Sequence, residues 1–354
     1  MPKFRVALSG DFVMADGSPA FPMFDLKPLT SNPGIEAGYV QAVGGVMPGA
    51  ALHDYDALIL LTPKFNASSI AKGSRLGIVA RFGVGYDSVD VAACTAGDVA
   101  LCITPDGVRR PVAVSILTLL FALTGKLMIQ EQLTRQGPDG FNQRSAHMGV
   151  GLVGKVLGSI GIGNIGAELF RLARPFDFKF MAYDPFANKA LAKELSIELV
   201  SLEYLFRQSD ILCVNCPLTP ETKHIVNAER LALMRPTAYL INTSRGPMVD
   251  QKALTVALQE RRIAGAGLDV LEQEPPDAND PILKLDNVIL TPHALCWTDQ
   301  CFAGNGAADV RAVLDYMQGE TPPAIVNPAV TQSQGWRDRL AANRKAFGAS
   351  STIA

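Results

Sequence analysis

The chain carries almost no net charge and no long uninterrupted apolar run, and both shortages exclude classes of protein. Across 354 residues, 32 Lys and Arg stand against 34 Asp and Glu, a formal net charge of −2. A surface that binds nucleic acid normally shows a clustered basic excess. The longest nearly uninterrupted apolar stretch, residues 112–123, is well short of the ~20 residues that cross a bilayer. We therefore expect no nucleic-acid partner and no membrane partner, and we interpret the apolar stretch as a buried helix.

Cysteine is also scarce, and the N-terminus lacks the pattern of an export signal. Six cysteines are spread over the chain, a usage that fits free thiols in a reducing compartment. The first residues contain no apolar stretch of the ~7–15 residues typical of a secretory signal. We therefore expect a cytoplasmic protein. Cys213 and Cys216 have the spacing of a redox or metal pair, but they end an apolar run before Pro217, which favours packing at a strand end. No metal site is predicted.

The length favours about two domains, and the pattern along the chain favours α/β architecture in both. After Lys155, short β-type runs alternate with helical segments that begin near residues 164, 189, 227 and 250. Such alternation predicts a parallel sheet with helices on both faces. The predicted strands of this part are residues 156–160, 180–183, 211–214, 239–241, 266–268 and 288–290. Weaker strand signals in the first hundred residues lie at 4–8, 57–61, 76–80 and 99–103.

A glycine motif follows the predicted strand 156–160 and opens a helix, the context in which G-x-G-x-x-G is informative. Gly161 permits the tight turn, Gly163 lets the backbone approach a pyrophosphate, and Gly166 allows close packing of helix on strand. Asp184 ends the next strand, where a carboxylate can accept hydrogen bonds from a ribose diol, which favours NAD over NADP. A glycine-rich turn without a ligand and an S-adenosylmethionine site are the alternatives.

Three polar residues follow successive strands of the second half. Arg245, Glu274 and His293 come after the strands that end near 242, 269 and 290. Ligands in open α/β sheets lie beyond the carboxyl ends of the strands, so the three can converge on one substrate. A guanidinium suits a carboxylate or a polarised carbonyl, a histidine can exchange a proton near neutral pH, and a carboxylate can orient that histidine. Taken singly, they could equally be a helix-entry contact, a solvated loop residue and a strand-end histidine.

Two further features lie nearer the N-terminus. The segment from Gly83 to Gly85 follows a predicted strand, and its exposed backbone N–H groups can form an anion-binding nest, although a plain tight turn explains it as well. Arg109 and Arg110 lie where the two domains are expected to meet. They are candidates for steering an acidic substrate, and the alternative is an ordinary solvated loop.

Together these motifs resemble the D-isomer-specific 2-hydroxyacid dehydrogenases, a family that includes phosphoglycerate dehydrogenases and glyoxylate and hydroxypyruvate reductases. The resemblance runs from about residue 76 to 327. Its marks are residues 83–90, 158–166, 216–222, 242–246, 269–275 and 291–293.

The resemblance implies a Rossmann-type nucleotide domain inserted into a flavodoxin-like α/β substrate domain. On this basis we expect residues 1–111 and 295–331 to form the substrate domain and 112–294 to form the NAD-binding domain, with a C-terminal tail at 332–354. The active site is then expected in the cleft between the domains. The family pattern also implies a homodimer joined through the nucleotide domain.

The resemblance also assigns roles to residues. It implies hydride transfer between NAD and a small 2-hydroxy or 2-oxo acid, with His293 as acid/base, Glu274 as its partner and Arg245 on the substrate. It implies that the Val84 and Gly85 amides bind the substrate carboxylate and that Asp269 meets the nicotinamide carboxamide. The expected cofactor-binding set is Gly161, Gly163, Asn164, Ile165, Gly166, Asp184, Cys216, Pro217, Thr222, Thr243, Ser244, Arg245, Asp269 and His293. The alternative function is an NAD(H)-sensing binding protein resembling the dehydrogenase-fold transcriptional corepressors.

Overall fold

The protein is described by a computed structural model that covers residues 3–348, and it folds as two compact units. One unit takes in the chain up to Val108 and from Thr298 onward, and the other comprises Arg109–Trp297. Each unit is built on its own parallel sheet, as the alternating pattern predicts.

The first unit contains five parallel strands in the order β2-β1-β3-β4-β5. This is the flavodoxin-like order, which confirms the predicted fold class. The strands are β1 (Phe4–Ser9), β2 (Ile35–Val40), β3 (Ala57–Leu60), β4 (Ile78–Arg81) and β5 (Ala100–Ile103).

The second unit contains seven parallel strands in the order β8-β7-β6-β9-β10-β11-β12. This is the Rossmann order with one further strand, and it places β6 and β9 on either side of the point where the strand order reverses. The strands are β6 (Val156–Ile160), β7 (Lys179–Tyr183), β8 (Ile197–Leu199), β9 (Ile211–Val214), β10 (Tyr239–Asn242), β11 (Gly265–Leu268) and β12 (Val288–Leu290).

Helices cover both sheets. They are α1 (Lys27–Thr30), α2 (Gly49–Leu52), α3 (Val91–Ala96), α4 (Pro105–Thr124), α5 (Leu127–Arg135), α6 (Pro138–Phe141), α7 (Asn164–Ala173), α8 (Lys189–Glu194), α9 (Leu202–Gln208), α10 (Ala228–Leu231), α11 (Gln251–Gln259), α12 (Asp299–Met317) and α13 (Gln334–Phe347). Short 3-10 turns lie at Gly10–Phe12, Ala67–Ser69, Arg144–His147, Arg174–Phe176, Gly246–Met248, Pro281–Lys284 and Pro328–Gln332.

Local sequence explains where these elements begin. The central strands read as continuous apolar runs because helices bury both faces of a parallel sheet; β6, β9 and β10 are buried at every residue. Four helices of the second unit start at a capping side chain that accepts a backbone N–H of the first turn. These caps are Asn188, Ser201, Asn227 and Asp250.

Helix α4 is longer than the sequence predicts. It begins at Pro105, spans 20 residues and contains Pro111, which was expected to precede the helix. By length and composition this helix could cross a membrane, since an 18-residue stretch of it has a mean hydropathy of 1.4. However, 56% of that stretch is buried inside the protein. Its Leu119 packs against Gly267 of β11, as a residue of a core helix does. Buried core helices can have the length and composition of a membrane span. Arg110 thus lies in a helix rather than a loop, and its Nε pairs with Glu168 at 2.8 Å.

The predicted C-terminal tail is instead an ordered part of the first unit as far as residue 348; residues 349–354 lie outside the described residues. Trp336 on α13 is 1% exposed, and its Nε1 donates to the Gly77 carbonyl at 3.1 Å. Arg339 donates to the carbonyls of Leu76 and Asp98, both at 2.8 Å. The helix docks because these long side chains satisfy carbonyls next to the strand ends.

A buried carboxyl group in the first unit makes the stability of the folded protein depend on pH. Asp309 on α12 is buried, and neither carboxyl oxygen has a hydrogen-bond partner among residues 3–348. Burial raises the pKa of Asp309 well above its ordinary value, and the charge of Arg81 opposes only part of this. Above about pH 4 the folded chain therefore holds a proton that the unfolded chain releases, so stability falls as the pH rises.

We expect Asp309→Asn to raise the midpoint of thermal unfolding at about pH 8 and to change it little at about pH 4, because the amide is neutral at every pH. Circular dichroism melts of both proteins across this range test the prediction. A gain of equal size at both ends of the range would contradict a protonated Asp309.

Candidate active site

The three predicted catalytic side chains lie in the second unit, after three neighbouring strands. Arg245 follows β10, Glu274 follows β11 and His293 follows β12. The structure brings His293 and Glu274 into contact, with Nδ1 of the imidazole 2.8 Å from Oε2 of the carboxylate. Because a carboxylate only accepts hydrogen bonds, Nδ1 is the donor, and Nε2 is the nitrogen left to exchange a proton with a ligand.

Glu274 is held in its charged form. Burial alone would raise its pKa, but the hydrogen bond and charge of His293, the Leu271 N–H and the Arg245 charge together keep the pKa of Glu274 below its ordinary value. The Leu271 N–H donates to Oε1 at 3.0 Å, so each carboxylate oxygen has its own donor. Glu274 therefore remains an anion through the neutral range and accepts the hydrogen bond from the imidazole beside it.

Asp269 holds the backbone that carries His293, a role that the sequence analysis did not predict. Asp269 is 3% exposed, and its Oδ1 accepts the Thr291 hydroxyl at 2.6 Å and the Ala294 and Leu295 N–H groups, both at 3.1 Å. Its carbonyl accepts the His293 N–H at 2.8 Å. His293 itself has φ = 55°, a left-handed conformation that costs a non-glycine residue energy. The hydrogen bonds of Asp269 maintain this conformation.

Arg245 sits on a turn that is fixed by side chains of β10 and its neighbours. The Asn242 amide donates to the Arg245 carbonyl at 2.9 Å, and Ser244 Oγ donates to the Val214 carbonyl at 2.7 Å. The next residue, Gly246, lies directly against the Glu274 loop. A Cβ added there would lie 1.8 Å from the Leu271 carbonyl oxygen, so the two loops touch through their backbones.

The glycine motif between β6 and α7 has the geometry of an anion-binding turn. Gly161 has φ = 95°, and a Cβ on Gly166 would lie 2.5 Å from the Gly161 oxygen, so both positions require glycine. Gly163 faces open space, with nothing within 4 Å of an added Cβ. Helix α7, which starts at Asn164 and Ile165, has no side-chain cap, so its first N–H groups remain for a ligand.

The residues around this turn fit a dinucleotide. At the end of β7, Asp184 accepts the Ile162 N–H at 3.0 Å on one oxygen and the Phe186 N–H at 2.8 Å on the other, which fixes the carboxylate beside the glycine turn. Each oxygen keeps a lone pair for a ribose hydroxyl. Thr243 Oγ1 is buried without a hydrogen-bond partner in the described part of the chain, which fits a hydroxyl group that hydrogen-bonds to a cofactor.

The segment after β9 provides the remaining predicted cofactor residues. Thr222 Oγ1 donates to the Pro217 carbonyl at 2.7 Å, which closes this segment into a compact loop. Burial raises the pKa of the Cys216 thiol to about 12, and Cys213 is fully buried, so neither sulfur has the lowered pKa of a redox cysteine. Within residues 3–348 no cluster of three His, Cys, Asp or Glu side chains is placed to hold a metal.

The predicted carboxylate-binding segment lies in the first unit. Gly83 has φ = 123°, its N–H donates to Thr104 Oγ1 at 2.8 Å, and the Thr104 hydroxyl in turn donates to Asn305 Oδ1 at 2.8 Å. The N–H groups of Val84 and Gly85 have no acceptor among residues 3–348. Hydrogen bonds therefore fix the start of this turn, and the two amides that follow have the chemistry to bind an anion.

This chain is similar to known proteins over most of its length. Residues 117–294 match the family described as D-isomer specific 2-hydroxyacid dehydrogenase, NAD binding domain. A glyoxylate reductase from Korarchaeum cryptofilum is 38% identical over 281 residues, which cover 79% of this chain and 85% of that protein. A D-3-phosphoglycerate dehydrogenase from Methanocaldococcus jannaschii is 34% identical over 305 residues, 84% of this chain and 57% of that protein. The D-mandelate dehydrogenase structure from Rhodotorula graminis superposes with a TM-score of 0.80 at 26% identity, covering 92% of this chain and 98% of that one.

Proposed function

This chain belongs to the D-isomer-specific 2-hydroxyacid dehydrogenase family, and from that premise we propose that it interconverts a small 2-oxo acid and its D-2-hydroxy acid with His293, Glu274 and Arg245 as its catalytic groups. The observation that carries the proposal is the His293–Glu274 contact at 2.8 Å, with the charge of Arg245 acting on the same carboxylate. Proton exchange at His293 and anion binding at Arg245 are the two tasks that such a substrate requires of the protein.

In the reducing direction, His293 donates a proton from Nε2 to the substrate carbonyl oxygen, and Glu274 stabilises the imidazolium before the transfer. Arg245 pairs with the substrate carboxylate and polarises the carbonyl. NADH, when bound, supplies the hydride. In the oxidising direction, His293 takes the hydroxyl proton, so the two directions require opposite protonation states of the same imidazole.

The cofactor site favours NADH over NADPH. Asp184 is fixed by two backbone amides and bears a negative charge where a 2′-phosphate would lie. The following residues, Pro185, Phe186 and Ala187, contain no cation that would compensate. We expect NADH to be used with the higher kcat/KM.

The experiment is NADH oxidation, followed by absorbance, with a panel of 2-oxo acids: glyoxylate, hydroxypyruvate, pyruvate, 2-oxoglutarate and phenylglyoxylate. The same panel with NADPH tests the cofactor preference, and the reverse reaction with 3-phosphoglycerate tests a phosphorylated substrate. A protein that binds NADH tightly yet reduces none of these acids would overturn the proposal in favour of an NAD(H) sensor.

We further propose that the protein forms a homodimer through its second unit. Exposed apolar side chains lie on α4, on α5 and on the segment 141–153, and the Val150 N–H donates to the Thr124 carbonyl at 2.8 Å, which places this segment beside the end of α4. Such a patch is typical of an interface between subunits. Its members are Val114, Phe121, Leu127, Met128, Phe141, Met148, Val150 and Val153.

Val153 is 80% exposed, so Val153→Glu should leave the fold intact while placing a charge in this patch. We expect light scattering to give a dimer mass for the unaltered protein and a monomer mass for the variant. Val43→Glu, at a residue of the first unit that is 70% exposed, is the matched control and should remain dimeric. A monomeric unaltered protein would rule out the dimer.

A further inference from the structure

A second histidine–carboxylate pair lies close to the catalytic groups in sequence but is absent from the predicted site. His224 Nε2 lies 2.7 Å from Glu272 Oε1, and Glu272 precedes Glu274 by two residues. Because the carboxylate only accepts, Nε2 of His224 is the donor, which a neutral imidazole with its proton on Nε2 already provides. The pair therefore forms without requiring a charged histidine.

Glu272 joins the Glu274 loop to the start of α11. Its Oε2 accepts the Gln251 N–H at 3.2 Å, and its own N–H donates to Gln251 Oε1 at 2.9 Å. The Gln251 amide in turn donates to Asp280 Oδ2 at 2.6 Å. The backbone N–H and both carboxylate oxygens of Glu272 are thus bonded to residues outside the loop that carries Glu274.

His224 joins the same loop to the segment after Arg245. Its backbone N–H donates to the Pro247 carbonyl at 2.9 Å, and the Val226 N–H donates to the Met248 carbonyl at 3.0 Å. One residue, His224, is therefore bonded through its backbone to the segment that follows Arg245 and through its side chain to the loop that carries Glu274.

We propose that His224 and Glu272 are positioning residues, which hold Glu274 against His293 and fix the Glu274 loop relative to Arg245. The inference rests on the proposed function. Without the pair, Glu272 loses one of the contacts that connect the two loops, and the carboxylate of Glu274 is held less firmly against the imidazole. Since that carboxylate stabilises protonated His293, its displacement weakens proton donation to the substrate.

The test uses steady-state reduction of the best 2-oxo acid with NADH in His224→Ala and His224→Gln. We expect His224→Ala to lower kcat at least 10-fold, within the ~10²-fold that a misplacement of about 1 Å costs, with the KM for NADH unchanged. The value of kcat is expressed per NADH-binding site, and these sites are counted by titration of the protein with NADH. His224→Gln retains a donor near the position of Nε2 and should restore most of kcat.

The count of binding sites separates positioning from mere loss of folded protein, since a smaller folded fraction lowers the number of NADH-binding sites and leaves kcat per site unchanged. Glu272→Ala breaks the pair from the other side and should reproduce the result, which keeps the test valid if His224→Ala does not fold. His53→Ala removes a comparable pair of the first unit, in which Nδ1 lies 2.7 Å from Asp54, and should leave kcat unchanged.

An unaltered kcat per site in His224→Ala, or a His224→Gln variant as slow as His224→Ala, would overturn the positioning role alone. The absence of any 2-oxo acid reduction by the unaltered protein would instead overturn the proposed function and this inference with it.

Discussion

Replacement of His293 by alanine is expected to lower kcat for reduction of a 2-oxo acid by about 10²–10⁴-fold, the range for loss of a general acid. His293 donates to Glu274 through Nδ1, and among the side chains of the trio it is the one that can both release and take a proton near neutral pH. Alanine removes the proton donor but no contact of the glycine turn. Binding of NADH, measured by the change in its fluorescence, should therefore be largely retained.

The matched control is His147→Ala, at a half-buried residue of the same unit; within residues 3–348 its backbone carbonyl accepts a hydrogen bond from Gln130, and its side chain has no hydrogen-bond partner. Its kcat should equal that of the unaltered protein. A His293→Ala enzyme with a normal rate would remove His293 from the mechanism, whereas loss of NADH binding together with activity would point to a structural defect.

Gly246→Ala is expected to have an effect of similar size without altering any side chain of the trio. An added Cβ would lie 1.8 Å from the Leu271 carbonyl oxygen and 2.5 Å from the Glu272 nitrogen. These are backbone atoms, so no rotamer change relieves the clash, and the loops of Arg245 and Glu274 must move apart. Because displacements of about 1 Å cost roughly 10²-fold in rate, we expect kcat to fall by at least about that factor.

The measurement is kcat together with the midpoint of thermal unfolding, which should also fall. Gly151→Ala is the matched control, since an added Cβ at Gly151 meets nothing within 4 Å and its backbone is not left-handed. An active, stable Gly246→Ala enzyme would contradict the close contact between the two loops.

Elements with strong local signals were predictable from the sequence. Strands β6, β9 and β12 lie at the predicted residues because each is a short apolar run followed by a turn or a polar residue. Strands β2 and β8 were missed. In strand β2, Glu36 and Gly38 interrupt the apolar residues, and β8 has only three residues, so neither shows the apolar continuity of a buried strand.

The remaining differences arise from contacts that are distant in sequence. Helix α13 docks through Trp336 on Gly77, a pair 259 residues apart, and no local pattern reveals such a partner. The same holds for the candidate site. The order of strands places Arg245, Glu274 and His293 at adjacent strand ends. The hydrogen bonds of Asp269 and the pair His224–Glu272, in contrast, depend on loop conformations that only the folded chain shows.

Bonds between Arg339 and the segment around Asp98 join residues that the ribosome synthesises far apart in time. The two residues are 241 positions apart, a delay on the order of 10 to 50 seconds at the usual rate of synthesis of ~5–20 residues per second. During that interval the continuous segment 109–297 has emerged and can fold, whereas the sheet begun by the first residues still lacks α12 and α13. The first unit, whose segments lie on both sides of residues 109–297, is therefore completed only after the second unit has emerged.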